Sequence, residues 1–180
     1  MTVGRAVVAR ISFRLFHNHA ALEPLLEVFE YGSPSFVRLL GEWRRRIIEE
    51  AAASGTDLVL TFVWGLELDD DAREVGDYIR PYVGLGAEVS FVELFADLHT
   101  RLERNRTEHR LAEKRSKRDV TWSDGNVREL EQHVMNTSPG DAAAQTPGQR
   151  MLSGHQHLRL DNTNLAADET ADEILAWLDR

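Results

Sequence analysis

Apolar positions keep two rhythms along this chain, and the changes between them mark out its elements. Val3, Ala6, Val7 and Arg10 recur at helical spacing, so residues 2–10 read as a helix whose only capping residue is Thr2. Residues 13–16 form a short strand that runs straight into His17, Asn18 and His19. Leu22, Leu25, Leu26 and Phe29 give one face of a helix over 23–29, which Ser33-Pro34 stops. Ser35 then caps a longer helix with Phe36, Leu40, Trp43, Ile47 and Ala51 along one stripe, closed by Gly55.

The rhythm changes at residues 57–64, a nearly continuous apolar run of the kind a parallel sheet buries on both faces. Residues 69–83 return to helical spacing, with Val75, Tyr78, Ile79 and Tyr82 facing in. A turn at 84–86 precedes a second buried strand at 88–94. Residues 97–118 form a long, strongly charged helical stretch. Trp122-Ser123 opens another helix, with Val127, Leu130 and Val134 as its stripe. Residues 137–148 are rich in Ser, Pro, Gly, Ala and Gln and read as a surface loop. A short strand at 157–160 and a helix at 168–178, with Ala171, Ile174, Leu175 and Leu178 inward, complete the chain. Strands alternating with helices predict an α/β fold, a parallel sheet with helices on both faces, formed as one domain over 1–180.

Composition narrows the function classes. The chain has no cysteine, which excludes disulfides and thiolate metal sites and fits a reducing, cytoplasmic setting. No apolar run approaches the roughly 20 residues of a membrane helix. Arg5, Arg10 and Arg14 interrupt the N-terminal apolar stretch, so it does not read as a signal peptide. A net charge of -9 argues against general nucleic-acid binding. The charge is uneven, however: residues 101–118 hold eight Lys or Arg against three Glu, which leaves room for a local anion site.

In open parallel α/β sheets, ligands sit beyond the carboxyl ends of the strands. Here those ends are His17-Asn18-His19, Trp64-Gly65, Phe95-Ala96-Asp97 and Asp161-Asn162-Thr163. With them belong the opening Met1-Thr2-Val3-Gly4-Arg5-Ala6, the arginine-rich 101–110 stretch, and Leu158-Arg159-Leu160-Asp161-Asn162-Thr163 ahead of an acidic-capped helix. Together these resemble the small-molecule kinase branch of the P-loop nucleotide kinases, the group of shikimate kinase-like and chloramphenicol phosphotransferase-like proteins. The resemblance spans residues 2–178.

The resemblance implies a three-layer α/β fold, strand order 2-3-1-4-5, and ATP and Mg²⁺ as cofactors. It also implies a G-x-x-x-x-G-K loop, followed by Ser or Thr, between the first strand and first helix. Backbone N–H groups and the Lys of such a loop hold the β- and γ-phosphates, and the hydroxyl helps hold Mg²⁺. Thr2-Val3-Gly4-Arg5 occupies the place just after that Lys, and Met1 falls where the hydroxyl would be. No G-x-x-x-x-G-K occurs in the 180 residues, and Gly84-Leu85-Gly86 reads as a turn. The expectation is a shortened chain, as from a start codon placed inside the phosphate loop, and a P-loop-type sheet lacking its central first strand. Such a loss leaves a gap of roughly 10 Å, about two inter-strand spacings, between the strands at 57–64 and 88–94. Two apolar edges are then exposed.

Site roles follow from the same resemblance. His17 and His19 would orient the acceptor hydroxyl or take its proton, with Asn18 and Trp64 beside the acceptor. The alternatives are a hydrogen-bonded turn and a core tryptophan. Arg104, Arg106, Arg110, Arg115 and Arg118 would belong to a lid over about 104–120. In that reading Arg106 and Arg110 neutralise the transferring phosphoryl group, while Arg104, Arg115 and Arg118 hold the nucleotide. The alternative is a solvated helix laced with i,i+4 pairs. Thr2 would border the nucleotide phosphates, and Asp161, Asn162 and Thr163 the adenine, although those three residues also suit a plain turn. The pairs His17/His19 and His155/His157 imply no third ligand, so no metal is assigned to them. Two functions remain in contention: an ATP-dependent phosphotransferase acting on a small hydroxyl-bearing molecule, and a non-catalytic nucleotide-binding or interaction domain.

Overall fold

Ser33 and Pro34 show how local chemistry sets the boundaries in this computed structural model, which describes residues 1–107, 119–138 and 146–179. Proline lacks an N–H and has its φ preset, so it suits the first position of a helix. Pro34 accordingly starts a helix, and Ser33 caps it by accepting from the Phe36 N–H at 3.3 Å. The expected cap at Ser35 is therefore displaced by two residues.

In chain order the described elements are α1 (Thr2–Val8), β1 (Arg14–His17), α2 (Asn18–Leu26), α3 (Pro34–Ala53), β2 (Leu58–Thr61), α4 (Asp69–Gly84) and β3 (Ser90–Phe95). They continue with α5 (Leu98–Asn105), α6 (Val120–Glu129), α7 (Pro147–Ser153), β4 (Gln156–Asp161) and α8 (Ala167–Leu178). A 3-10 turn, Leu130–Gln132, follows α6. The protein is α/β, with small parallel sheets.

The strands form two separate pairs. β1 lies parallel to β2, from Arg14 opposite Leu58 to His17 opposite Thr61. β3 lies parallel to β4, from Ser90 opposite Gln156 to Phe95 opposite Asp161. No ladder joins β2 to β3. The phase of each pair shows which backbone groups face outward. Arg14 N–H donates to Asp57 C=O at 2.8 Å, so residues 57, 59 and 61 aim at β1 and Leu58 and Leu60 aim away. Asn162 N–H donates to Phe95 C=O at 2.8 Å, so Ser90, Val92 and Leu94 aim away from β4.

Side chains on the two pairs are sorted by the same alternation. Phe16, Leu58 and Leu60 join Leu22, Phe36, Leu40, Ile48 and Tyr78 in one apolar cluster, made with α2, α3 and α4. Val59, Val92, Leu158 and Leu160 instead pack on Val7, Ala171 and Ile174 of α1 and α8. Helix α1 approaches the strands closely at Gly4, where a Cβ would stand 2.9 Å from Leu15 Cδ1. Arg10 ties α1 to α8 through Asp168 at 2.9 Å and Asp172 at 3.4 Å.

Several expectations need correction. The buried stripe of α3 is Phe36, Leu40, Arg44, Ile48 and Ala52, a strict i,i+4 row. Trp43 lies off that row and is exposed, so it is not a core residue. β2 spans only Leu58–Thr61 of the 57–64 run, with all four residues half-buried, whereas β4 extends beyond 157–160 at both ends. Leu94 and Leu178 are exposed. Helix α2 begins at Asn18 rather than at residue 23. The charged helix from residue 97 ends at Asn105, and residues 108–118 lie outside the description. The stretch taken as loop up to 148 gives way at Thr146, whose capping box with Gln149 starts α7.

Candidate functional site

Two polar assemblies lie at the carboxyl ends of the strands, one on each strand pair. The first is built around Arg44, which the α3 stripe carries inward to 7% exposure. Its guanidinium donates to Asn18 Oδ1 at the start of α2 and pairs with Glu74 Oε1 of α4 at 3.4 Å. The Tyr78 hydroxyl donates to the same Glu74 carboxylate. Arg44 also stands over the Phe62 ring at 5.4 Å from its centroid. Burial, and then the hydrogen bond to Glu74, push the Tyr78 phenol well above its ordinary value, so it remains a neutral donor. This network pins the β1–α2 junction to α3 and α4.

The sequence-derived residues at this end sit as follows. His17 is the half-buried N-cap residue of α2, and Asn18 and His19 are its first two helical residues. Asn18 N–H donates to Thr61 Oγ1 at 3.3 Å, joining the end of β1 to the end of β2. His19 Nδ1 lies 2.9 Å from Glu23 Oε1, one helical turn on. The His17-Asn18-His19 segment is thus a helix start rather than a free turn. Trp64 is half-buried in the stretch after β2. Thr2 lies exposed in the first turn of α1.

The second assembly surrounds the end of β4. Arg104 of α5 donates to three backbone carbonyls, those of Asn162 at 2.7 Å, Leu165 at 3.1 Å and Thr163 at 3.2 Å. It also reaches Asn162 Oδ1 at 3.2 Å. Asp97 N–H donates to Thr163 Oγ1 at 3.1 Å, so the ends of β3 and β4 share this turn. Asp161 Oδ1 accepts from Thr163 N–H at 2.9 Å, which holds the Asp161 carboxyl below its usual range. Asp97 is held low likewise, because it caps α5 by accepting from Thr100 N–H at 2.7 Å. At the carboxyl end of α5, Asp124 of α6 accepts from Asn105 Nδ2 at 2.7 Å and from Arg106 Nε at 2.9 Å and Nη2 at 2.5 Å. Those bonds depress the Asp124 carboxyl, the Asn105 bond most. Ser123 Oγ donates to Asn105 Oδ1 at 3.0 Å, and both residues are buried.

Arg104, Asn162 and Thr163, three residues assigned to the nucleotide, are therefore in direct contact, with Asp161 bonded to the same turn. Arg106 is engaged with Asp124. Arg110, Arg115 and Arg118 lie outside the described residues. Among the described residues no group of three or more His, Cys, Asp or Glu gathers as metal ligands, and no helix is long and apolar enough to cross a membrane.

Sequence reasoning missed a third assembly. Glu93, in the middle of β3, accepts from Thr137 N–H at 2.8 Å, Thr137 Oγ1 at 2.9 Å and Asn136 Nδ2 at 3.0 Å. Its other neighbours are His157 Nε2 at 3.2 Å and Arg159 Nε at 3.3 Å. The signal was present as period two: Glu93 on β3 and His157 and Arg159 on β4 all fall on one face, in register. Segment 133–137 then crosses to the other strand pair. Leu66 N–H donates to Val134 C=O at 2.8 Å, and Glu67 accepts from Val134 N–H at 3.0 Å and lies 2.8 Å from His133 Nδ1. Partial desolvation works to raise the Glu67 carboxyl, but its own backbone N–H, His133 and Val134 outweigh that and hold it low.

No family model, curated protein or solved structure matches this chain.

Proposed function

We propose that this chain forms the body of an ATP-dependent phosphotransferase of the P-loop small-molecule kinase type, with a three-layer fold. The observation that carries the reading is the position of the break. Two parallel strand pairs meet a shared α1–α8 cluster and part between β2 and β3, the place of a central strand in the order 2-3-1-4-5. The turn Asp161-Asn162-Thr163, braced by Arg104, supports a nucleotide base at the end of β4. The acceptor lies toward His17, His19 and Trp64, with Asn18 fixed by Arg44. Transfer of the γ-phosphoryl group would break its bond to the β-phosphate oxygen, releasing ADP, and form a bond to an acceptor hydroxyl whose proton His17 or His19 would take; arginines would offset the charge, and Mg²⁺ would add to that neutralisation when bound. The absence of cysteine supports a cytoplasmic setting.

These 180 residues contain no G-x-x-x-x-G-K, so the chain itself binds ATP weakly or not at all and is inactive or impaired. Calorimetry with ATP and Mg²⁺ checks this, and a micromolar dissociation constant contradicts it. A longer form, given a strand and phosphate loop ahead of Thr2, is expected to turn over ATP against a panel of hydroxyl acceptors. Tight nucleotide binding without turnover would sink the enzyme reading in favour of a non-catalytic nucleotide-binding domain. One observation favours that second reading: Arg104 and Arg106 already spend their guanidinium donors on the protein itself.

A further inference from the structure

Helix α3 buries one side and carries a second pattern on the other. Opposite the buried Phe36, Leu40, Arg44, Ile48 and Ala52 runs an exposed row at the same i,i+4 spacing, Arg38, Glu42, Arg46 and Glu50. Charge alternates along this row: plus, minus, plus, minus. Beside it, Leu39 and Trp43 of α3 and Leu25 of α2 line a shallow groove of about 380 Å³, with Glu42 and Arg46 at its rim. Trp43 is 39% exposed there and belongs to neither apolar cluster. A large ring kept at the surface beside an apolar groove is the usual mark of a contact surface. The outer side of α3 also differs in charge from the whole molecule. Arg38, Arg45 and Arg46 balance Glu42, Glu49 and Glu50, whereas the chain carries -9. Two copies can therefore approach on this side without the repulsion that the net charge imposes elsewhere.

We infer that this side of α3 is a self-association surface, on which two copies of the chain pack α3 against α3, antiparallel, about a two-fold axis level with residue 44. The charge row selects both the occupant and its direction. Laid antiparallel against itself, the row sets Arg38 opposite Glu50 and Glu42 opposite Arg46, and every contact joins unlike charges. A parallel pair would oppose like charges at every position of the row. A two-fold contact is isologous, so one patch serves both copies. Trp43 lies one residue from the axis, so the two indoles meet at the centre and the grooves beside them lie on the same side of the interface. Arg46, now shared between Glu49 at 3.5 Å and Glu50 on its own helix, is exposed and can turn to Glu42 of the second copy. Exposed ion pairs add little affinity, so burial of Trp43, Leu39 and Leu25 supplies the attraction while the charges fix the orientation. The inference stands whether or not phosphotransfer is ever detected.

The test is sedimentation of the 180-residue chain. At about 100 µM it is expected to show a dimer that dissociates on dilution, as suits a small interface. Trp43→Ser is expected to weaken the dimer about tenfold or more, as loss of an interface tryptophan does, with the unfolding midpoint of the dilute monomer unchanged. Glu42→Arg and Arg46→Glu each bring two pairs of like charges together across the axis, and each is expected to weaken the dimer about tenfold. The double variant exchanges the two charges and is expected to regain the affinity. A chain that stays monomeric at about 100 µM overturns the inference. A dimer that survives Trp43→Ser also overturns it, since the copies then meet through another face. So does a double variant that fails to recover, because residues 42 and 46 then do not face each other.

Discussion

The β1–β2 pair and the β3–β4 pair are both parallel, four residues long in the first and six in the second, but are held by different forces. β1–β2 is lined on one face by the Phe16, Leu22, Phe36, Leu40, Ile48 and Tyr78 cluster and touches the α1–α8 cluster through Val59. β3–β4 has one apolar face, Val92, Leu158 and Leu160, and one face given to Glu93, His157 and Arg159. The first pair depends on burial, with a single buried arginine tying helices together. The second depends on a carboxylate that gathers a loop and two strands. The stronger polar network therefore serves the pair with less apolar cover.

The comparison breaks most sharply in the first pair. Ile48 is 2% exposed within the large cluster. Ile48→Ala is expected to cost about 3–4 kcal/mol by denaturant unfolding, from lost transfer energy plus the cavity. A cost below about 1 kcal/mol would mean that the α3 stripe is not the core it is described as. In the second pair, Glu93→Gln removes the charge that draws His157, Arg159, Asn136 and Thr137 together. A loss of about 2–3 kcal/mol is expected. Hydrogen exchange should quicken first at residues 133–137 and in β3–β4, while the β1–β2 ladder is little changed. Equal loosening of both pairs would contradict their separate support.

The smallest effect is one of pH. Asp124 has its carboxyl lowered from the ordinary 3.8 by Asn105 and Arg106. A depressed folded value means that its stabilisation is present above the unfolded value and is lost as pH falls through the folded one. The junction of α5 and α6 should therefore loosen below about pH 4, with Asp97 and Asp161 acting in the same direction at the β4 end. Asp124→Asn is expected to flatten this acid limb at that junction, read by the chemical shifts of Asn105 and Ser123 across a titration. No change in those shifts on acidification would remove Asp124 from the account.

Much of the element order was legible because apolar spacing decides it. Helices α4 and α8 and all four strands lie where the rhythms place them, within a few residues. The misses have local causes. Phe36, Leu40, Trp43 and Phe36, Leu40, Arg44 are both helical rows, and hydrophobicity favours the wrong one. Arg44 is buried because Glu74, Asn18 and Phe62 receive it, a fact held on other elements. Arg104 and Arg106 read as a cationic surface until the carbonyls of 162–165 and the Asp124 carboxylate come beside them. Glu93 was hidden by the opposite error, an apolar run scored as buried on both faces when one face was polar. The break between β2 and β3 was anticipated only through a resemblance of the whole strand–helix order, since nothing in either strand's own residues marks a free edge.

The most direct test of the split sheet is residue-by-residue amide exchange in the free chain. Val59 and Glu93 aim their amides into their own ladders, whereas Leu58, Leu60 and Val92 aim theirs into the break. The account predicts an alternation along each strand, slow exchange at Val59 and Glu93 and fast exchange at Leu58, Leu60 and Val92. Slow exchange at all five would mean that the inner edges are already paired, and would contradict it.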